Sequence, residues 1–307
     1  MQTSHPILIC GLHRSGTTYM GEILAQSNRD ISVIHELFNF GNGLKQVDCW
    51  YPYLTSGMKA SPYIQTIEDA LLAKGALKKP SLNKVWYKYL FHRISGGRMQ
   101  FPWRYLKLRH QLHLSPQHVI WKDPFCTLML DYITRYKGCP TICMVKHPCA
   151  LYSSIAKQNW HFDIQHLGRQ TSLINDFGSG ITRSVWQEAQ TSNHLSIAIL
   201  WKIMSRIVIH IQSLSDSLLL VRHEDLCYQP LQVIEAVSAH VNIPINDKMR
   251  QFLLQSTQGN RIEVEAGVTR SFHRDSRSLP QAWENQLSAE QVSEILDVVG
   301  EDIHAFY

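Results

Sequence analysis

A three-layer α/β fold with a central parallel sheet flanked by helices is what this sequence predicts, on three observations. Five short apolar runs recur along the 307 residues, each stops at once in glycine or charged residues, and helix-compatible segments separate them. Runs without polar alternation are what strands buried on both faces require, and strands alternating with helices imply parallel pairing. The length fits one large core or two ordinary domains. We read residues 1–307 as a single domain carrying a long insertion.

The first run is Ile7-Leu8-Ile9-Cys10, followed by a glycine-bearing turn and a helix expected over 16–26. The second is Ile31-Ser32-Val33-Ile34. From about 40 to 115 the chain is rich in aromatics, holds Pro80, Pro102 and Gly96-Gly97, and shows no obvious strand, so it reads as a mostly helical insertion or lid. The third run, His118-Val119-Ile120-Trp121, precedes a helix expected over 127–136. The fourth, Thr141-Ile142-Cys143-Met144-Val145, precedes one over 149–158. A long helix over about 185–214 leads to the fifth run, Leu218-Leu219-Leu220-Val221, and another helix over 231–241 follows. Ser288-Ala289-Glu290-Gln291 has the form of a capping box opening a last helix to about 299.

Composition excludes several classes. At 44% hydrophobic and 18% charged residues, the chain is neither disordered nor fibrous. No run of about 18 apolar residues free of charge occurs, so no membrane span is expected. The short polar start is not expected to be a signal peptide. Seven cysteines without a tight framework fit a reducing, cytoplasmic setting. No His/Cys set has zinc spacing and no carboxylate pair has metal spacing, so no metal is expected. Between Ala70 and Lys122 there is no Asp or Glu, while the stretch holds 11 of the 30 Lys+Arg. The excess positive charge is therefore local, on an otherwise acidic body.

The segment Gly11-Leu12-His13-Arg14-Ser15-Gly16-Thr17-Thr18 follows the first run and opens a helix. Its glycines permit a turn whose N–H groups point inward, and the helix N-terminus adds about half a positive charge, so an anion belongs there. The pattern is close to the phosphate-binding G-x-x-x-x-G-K-[ST], but Thr17 stands at the lysine position and the basic group is Arg14. The missing lysine counts against a kinase or ATPase.

The run Arg14-Ser15-Gly16-Thr17-Thr18 resembles the 5′-phosphosulfate loop of the sulfotransferases that use 3′-phosphoadenosine-5′-phosphosulfate (PAPS). It has the arginine form found in tyrosylprotein-type and many bacterial members. The resemblance implies a P-loop-like fold, with His13, Arg14, Ser15, Gly16, Thr17 and Thr18 around the donor.

Ligands of open parallel sheets bind beyond the carboxyl ends of the strands, and four of these ends carry charge: His35-Glu36, Lys122-Asp123, Lys146-His147 and Arg222-His223-Glu224-Asp225. Glu36 is the leading general base for an acceptor hydroxyl, and the segment His35-Glu36-Leu37-Phe38-Asn39 is similar to a His-Glu-Pro-Phe-Asn-like segment of bacterial members, with Leu37 for proline. His35 is the alternative base; strand alternation implies that the two face opposite ways and only one enters the site. Lys122-Asp123-Pro124-Phe125 matches the Lys-Asp-Pro-Phe of the tyrosylprotein enzymes, which implies that Lys122 offsets charge on the sulfuryl group or leaving oxygen. Asp123 reads as an anchor: a cap on the next helix, or the partner of Arg14.

Met144 to Ser154 is similar to the family's 3′-phosphate loop, which implies that Lys146 and Ser154 hold the 3′-phosphate, with lysine standing where the family has arginine and Ser153 as the rival hydroxyl. The segment Phe272-His273-Arg274-Asp275-Ser276-Arg277-Ser278, before Trp283, resembles the family's late basic loop, with Arg274, Ser276 and Arg277 as candidates for the same phosphate. The resemblance implies in-line transfer of a sulfuryl group from PAPS, without a metal, to a small-molecule, carbohydrate or lipid-linked acceptor, leaving 3′,5′-bisphosphorylated adenosine (PAP). Glu36, Lys122 and Arg14 would be the catalytic groups. The alternatives are a nucleotide-dependent kinase of related fold, and a non-enzymatic nucleic-acid binder, which the basic, aromatic stretch invites. Of these, nucleic-acid binding is not expected.

Overall fold

The five apolar runs form one sheet of five parallel strands: β1 (Ile7–Gly11), β2 (Ile31–His35), β3 (His118–Lys122), β4 (Thr141–Val145) and β5 (Leu218–Arg222), ordered β2-β3-β1-β4-β5. The structure is a computed structural model and describes residues 5–27, 31–71, 76–78, 118–257 and 276–307. Successive strand residues enter opposite apolar layers. Leu8, Cys10, Trp121, Cys143 and Val145 pack on one face, and Ile7, Ile9, Ile120, Ile142 and Met144 on the other. Burial of both faces is why the strands read as uninterrupted apolar runs.

Helices cover both layers. On the Ile9 face lie α1 (Thr17–Ala25), and further along the chain α9 (Pro230–Val241) and α10 (Asp247–Thr257), through Met20, Ile23, Leu24, Ile234, Val237 and Met249. On the Leu8 face lie α2 (Pro62–Leu71), α3 (Pro148–Ala156), the short helices α4 (Gln165–Gly168), α5 (Thr171–Phe177) and α6 (Arg183–Glu188), then α7 (Asn193–Gln212) and α11 (Ala289–Val299). The remaining helix, α8 (His223–Tyr228), starts directly at the end of β5. α7 is long and apolar enough to cross a membrane by length and composition alone, yet 78% of its most apolar window is buried inside the protein. Its two cations are held from the C-terminal segment: Asp302 meets Lys202 at 2.8 Å and Arg206 at 2.9 Å.

Two expectations need correction. The long helix expected over 185–214 is broken into α6 and α7, because Ser192 caps α7 by accepting from Leu195 N at 3.4 Å and Ser196 Oγ donates back to Ala189 O at 2.5 Å. A polar cluster of this kind offers the backbone an alternative to continuing the helix. The helix expected over 127–136 is a 3₁₀ helix, Pro124–Met129, followed by a π-helical turn, Asp131–Tyr136. Asp123 caps the first at Phe125 N (3.2 Å), and the hydroxyls of Thr127 and Thr134 bond carbonyls three and four residues back. The capping box at Ser288 and Gln291 is present as expected, opening α11.

Of the segment expected to be a helical lid, residues 40–61 are turns and extended chain that bury Leu44, Val47, Tyr51, Tyr53 and Leu54 in the Leu8 layer. Residues 79–115 lie outside the described residues. The chain leaves β1 towards β2 on one side and leaves β4 towards β5 on the other, so a crevice opens beyond the carboxyl ends of these neighbouring strands. Gly11 and Lys146 stand at its base.

Candidate active site

Between β1 and α1 the chain turns tightly. Gly11 has φ 120°, and a Cβ there would lie 2.1 Å from the Met144 carbonyl oxygen, so no other residue fits. Its N–H donates to Thr127 Oγ1 at 2.9 Å, which ties the loop to the segment after β3. Arg14 (φ 72°) and Gly16 (φ 99°) are also left-handed, the kind of winding from which anion-binding loops are built. Ser15 is buried, donating its hydroxyl to Leu12 O at 2.5 Å. Thr17 and Thr18 form the first turn of α1, where N–H groups lack partners within the helix.

Arg14 reaches across to α3. Its Nε donates to Ser154 Oγ at 3.2 Å, and its guanidinium lies 5.7 Å from the ring centroid of Trp160. Ser153 bonds Gln286 instead, so of the two serines it is Ser154 that joins the loop. Lys146 is buried at the end of β4, where desolvation pushes its ammonium down to about 8, Glu224 draws it back and Arg14 pushes it further down. Among the described residues no carboxylate lies within ion-pair distance of it. A desolvated cation beside a second cation is stabilised by an anion. Glu224 is occupied otherwise, accepting from His147 N at 3.0 Å and from the Tyr307 hydroxyl at 2.6 Å. In the late loop, Ser276 Oγ donates to Cys227 O at 2.9 Å and Arg277 is exposed, while Arg274 lies outside the described residues.

At the end of β2 strand alternation no longer governs Glu36. The strand stops at His35, and Glu36 has φ 53°, so its carboxylate turns back towards Lys122, with which it forms an ion pair and a hydrogen bond. The Glu36 N–H donates to Lys122 O at 2.8 Å, and Asn39 Nδ2 donates to the second carboxylate oxygen at 3.2 Å. A non-glycine residue held left-handed costs energy that the surroundings must offset, and such residues cluster at functional sites. Burial pushes the Glu36 carboxyl up. The charge and hydrogen bond of Lys122 and the bond from Asn39 outweigh that, leaving it below its ordinary range. Lys122 is 2% exposed, with its chain beside Gly21, whereas Glu36 keeps 35% of its side-chain surface open.

Asp123 is the expected anchor, but Arg14 is not its partner. It is fully buried and accepts from Phe38 N (2.8 Å), Phe125 N (3.2 Å) and Trp121 Nε1 (3.3 Å). Desolvation raises its carboxyl to about 7, against the hydrogen bonds that favour the charged form. Asp123→Ala leaves three buried donors unmatched, and urea denaturation should show a loss of about 2–3 kcal/mol. The sign of its pH effect also follows. A carboxyl that titrates higher folded than unfolded costs stability as pH rises from 3.8 to about 7, and this slope should flatten in the variant.

His13 lies between these two halves. Its backbone N–H donates to the Tyr51 hydroxyl at 3.0 Å, its Nδ1 also contacts that hydroxyl, and its ring has Phe125 and Trp160 at 6.3 and 6.1 Å. Tyr51, Thr127 and Trp160 were not legible as site residues, because each lies far in sequence from the group it meets; Asn39 is only three residues from Glu36, but no local pattern shows that its amide donates to that carboxylate. The Gly11–Thr127 bond ties the anion loop to the segment after β3, and the Glu36–Lys122 pair ties the ends of β2 and β3 together; the charge of Glu36 acts on both His13 and Asp123. Among the described residues no group of three His, Cys, Asp or Glu could hold a metal ion.

A family model described as the sulfotransferase domain matches residues 4–306. No curated protein matches the sequence. Several solved structures are similar to the chain. The sulfotransferase domain of the curacin biosynthetic pathway is 17% identical with a TM-score of 0.48, covering 97% of this chain and 98% of that one. The sulfotransferase domain of the Synechococcus PCC 7002 olefin synthase is 14% identical with a TM-score of 0.47, over 97% and 95%. A mouse sulfotransferase in complex with PAP is 10% identical with a TM-score of 0.46, over 99% and 86%.

Proposed function

The chain belongs to the sulfotransferase domain family, and on that premise we propose that it transfers a sulfuryl group from PAPS to an acceptor hydroxyl by in-line displacement. The observation that carries the reading is the joining of the Gly11–Thr18 loop to the end of β4: Arg14 bonds Ser154, and Lys146 is buried nearby without an ion-pair partner among the described residues. An adenosine bisphosphate carries one phosphate for each half of such a site. The loop and the first turn of α1 receive the 5′ side, and Lys146 and Ser154 the 3′-phosphate.

PAPS supplies a sulfuryl group less negative than a phosphoryl group, so cationic side chains and N–H groups suffice to stabilise it. The acceptor oxygen bonds to sulfur as the bond from sulfur to the bridging oxygen breaks; the acceptor proton goes to Glu36 and the leaving group departs as PAP. Glu36, ionised at neutral pH and open to the crevice, is the base. Lys122 beside it offsets the charge developing on the sulfuryl and leaving oxygens. The positive charge of the acid-free stretch ending at Lys122 would favour the approach of an anionic donor or acceptor.

Calorimetry with PAP and with adenosine 5′-phosphate in EDTA tests the donor. Lys146→Met and Ser154→Ala should each weaken PAP about tenfold or more, the worth of a charged hydrogen bond, and leave adenosine 5′-phosphate unchanged. Equal losses for both ligands would sink the 3′-phosphate assignment. Incubation with labelled PAPS and a panel of carbohydrate, phenol, lipid and peptide acceptors, read by mass spectrometry for added sulfate, identifies the acceptor. Transfer to none of them, with no PAP binding, would overturn the reading.

A further inference from the structure

One fully buried phenol makes His13 more than a loop residue. Tyr51 has φ 54°, a left-handed conformation that a bulky side chain rarely adopts, and it is 0% exposed. Its hydroxyl oxygen accepts from the His13 backbone N–H at 3.0 Å and contacts Nδ1 of the same residue. A buried hydroxyl must also place its own proton, and among the described residues Nδ1 is the acceptor in reach. Nδ1 is therefore the lone-pair nitrogen and the ring proton sits on Nε2.

The surroundings favour the same state. Desolvation among Phe125, Tyr51 and Trp160 and the charge of Arg14 hold the imidazole down to about 4, with only Glu36 pulling the other way. A neutral ring with its Nε2 proton in place has its one lone pair on Nδ1, where the Tyr51 hydroxyl occupies it, so the ring faces a ligand as a donor and not as a base.

We propose that Tyr51 fixes His13 as an Nε2–H hydrogen-bond donor to a sulfuryl oxygen, making His13 a catalytic electrophile of the anion loop and Tyr51 its positioning residue. The inference rests on the sulfotransferase reading for its ligand, and on the loop geometry alone for the tautomer. A donor set in place before reaction, next to Arg14 in the loop, stabilises charge without having to reorganise.

Two measurements test it. In the full-length protein labelled with 15N-histidine, two-bond 1H–15N spectra should show His13 as the Nε2–H tautomer from pH 8 down to pH 5. An Nδ1–H pattern, or titration between pH 6 and 7, would overturn the lock. In the rate assay His13→Phe should lower kcat about 10²-fold with little change in KM for PAPS, as loss of one oxyanion donor does. His13→Gln, whose amide nitrogen takes the place of Nε2, should recover to within about tenfold of the native rate. A Gln variant as slow as the Phe variant would remove the donor role. Failure of the sulfotransferase reading shows differently, as no transfer by the native chain, and the tautomer spectrum still decides the lock.

Discussion

Glu36→Gln is expected to lower kcat by about 10³–10⁴-fold, the upper part of the range for loss of a general base, while PAP affinity stays within about threefold. The substitution keeps an oxygen for Lys122 and the size of the side chain, so it removes the proton acceptor and little else. The loss amounts to about 4–5 kcal/mol of barrier. The native pH profile of kcat/KM adds a second reading. Lys122 and Asn39 hold the Glu36 carboxyl below its ordinary range, so the base form persists through mildly acid pH. Activity should fall only below the usual carboxylate window. His35→Ala is the control, since His35 ends β2 one residue away. If that variant loses the larger share of kcat, the base is His35, and if Glu36→Gln retains full transfer, the assignment of Glu36 is wrong.

Lys122→Met should cost about 10³-fold in kcat, the effect of removing a preorganised positive charge from the transferred group. Methionine keeps the buried aliphatic stem that packs beside Gly21 and Ile9. The partner left behind, Glu36, is 35% exposed and can rehydrate, so the melting temperature should move by only a few degrees. Breaking a fully buried pair would do far more. The two variants are linked through pH. Without Lys122, burial is the largest remaining influence on the Glu36 carboxyl and it acts upward, so the acid limb of the Lys122→Met profile should shift to higher pH. An unshifted limb would show that the ion pair is not what holds Glu36 down. The pair is coupled, so the double variant should lose less than the sum of the single effects.

Much of the fold was legible because its signals are local. Each strand is a run of apolar residues bounded by glycine or charge, and both faces are buried, so the pattern carried no ambiguity of face. The last helix announced itself through Ser288 and Gln291. Where the reading failed, a side-chain hydroxyl competed with the helix. Ser192 and Ser196 broke the long helix between α6 and α7, and Asp123 with Thr127 tightened the turn after β3. Apolar periodicity is blind to such bonds, since they depend on which carbonyl or N–H lies within reach.

The site divides along the same line. Local sequence encodes the strands, the glycine loop with Arg14 in place of a P-loop lysine, and the charge at the strand ends. Turn chemistry and strand burial are written in neighbouring residues, and parallel strands bring their carboxyl ends to one edge. Where those charges point depends on contacts made by the folded chain. Arg14 meets Ser154 across 140 positions of chain, Glu36 turns onto Lys122 because one backbone angle is left-handed, and Tyr51, 38 residues from His13, seats its hydroxyl against that ring. These contacts arise from packing between elements remote in sequence, so no local pattern encodes them, and they are what turn an anion loop into a candidate catalytic site.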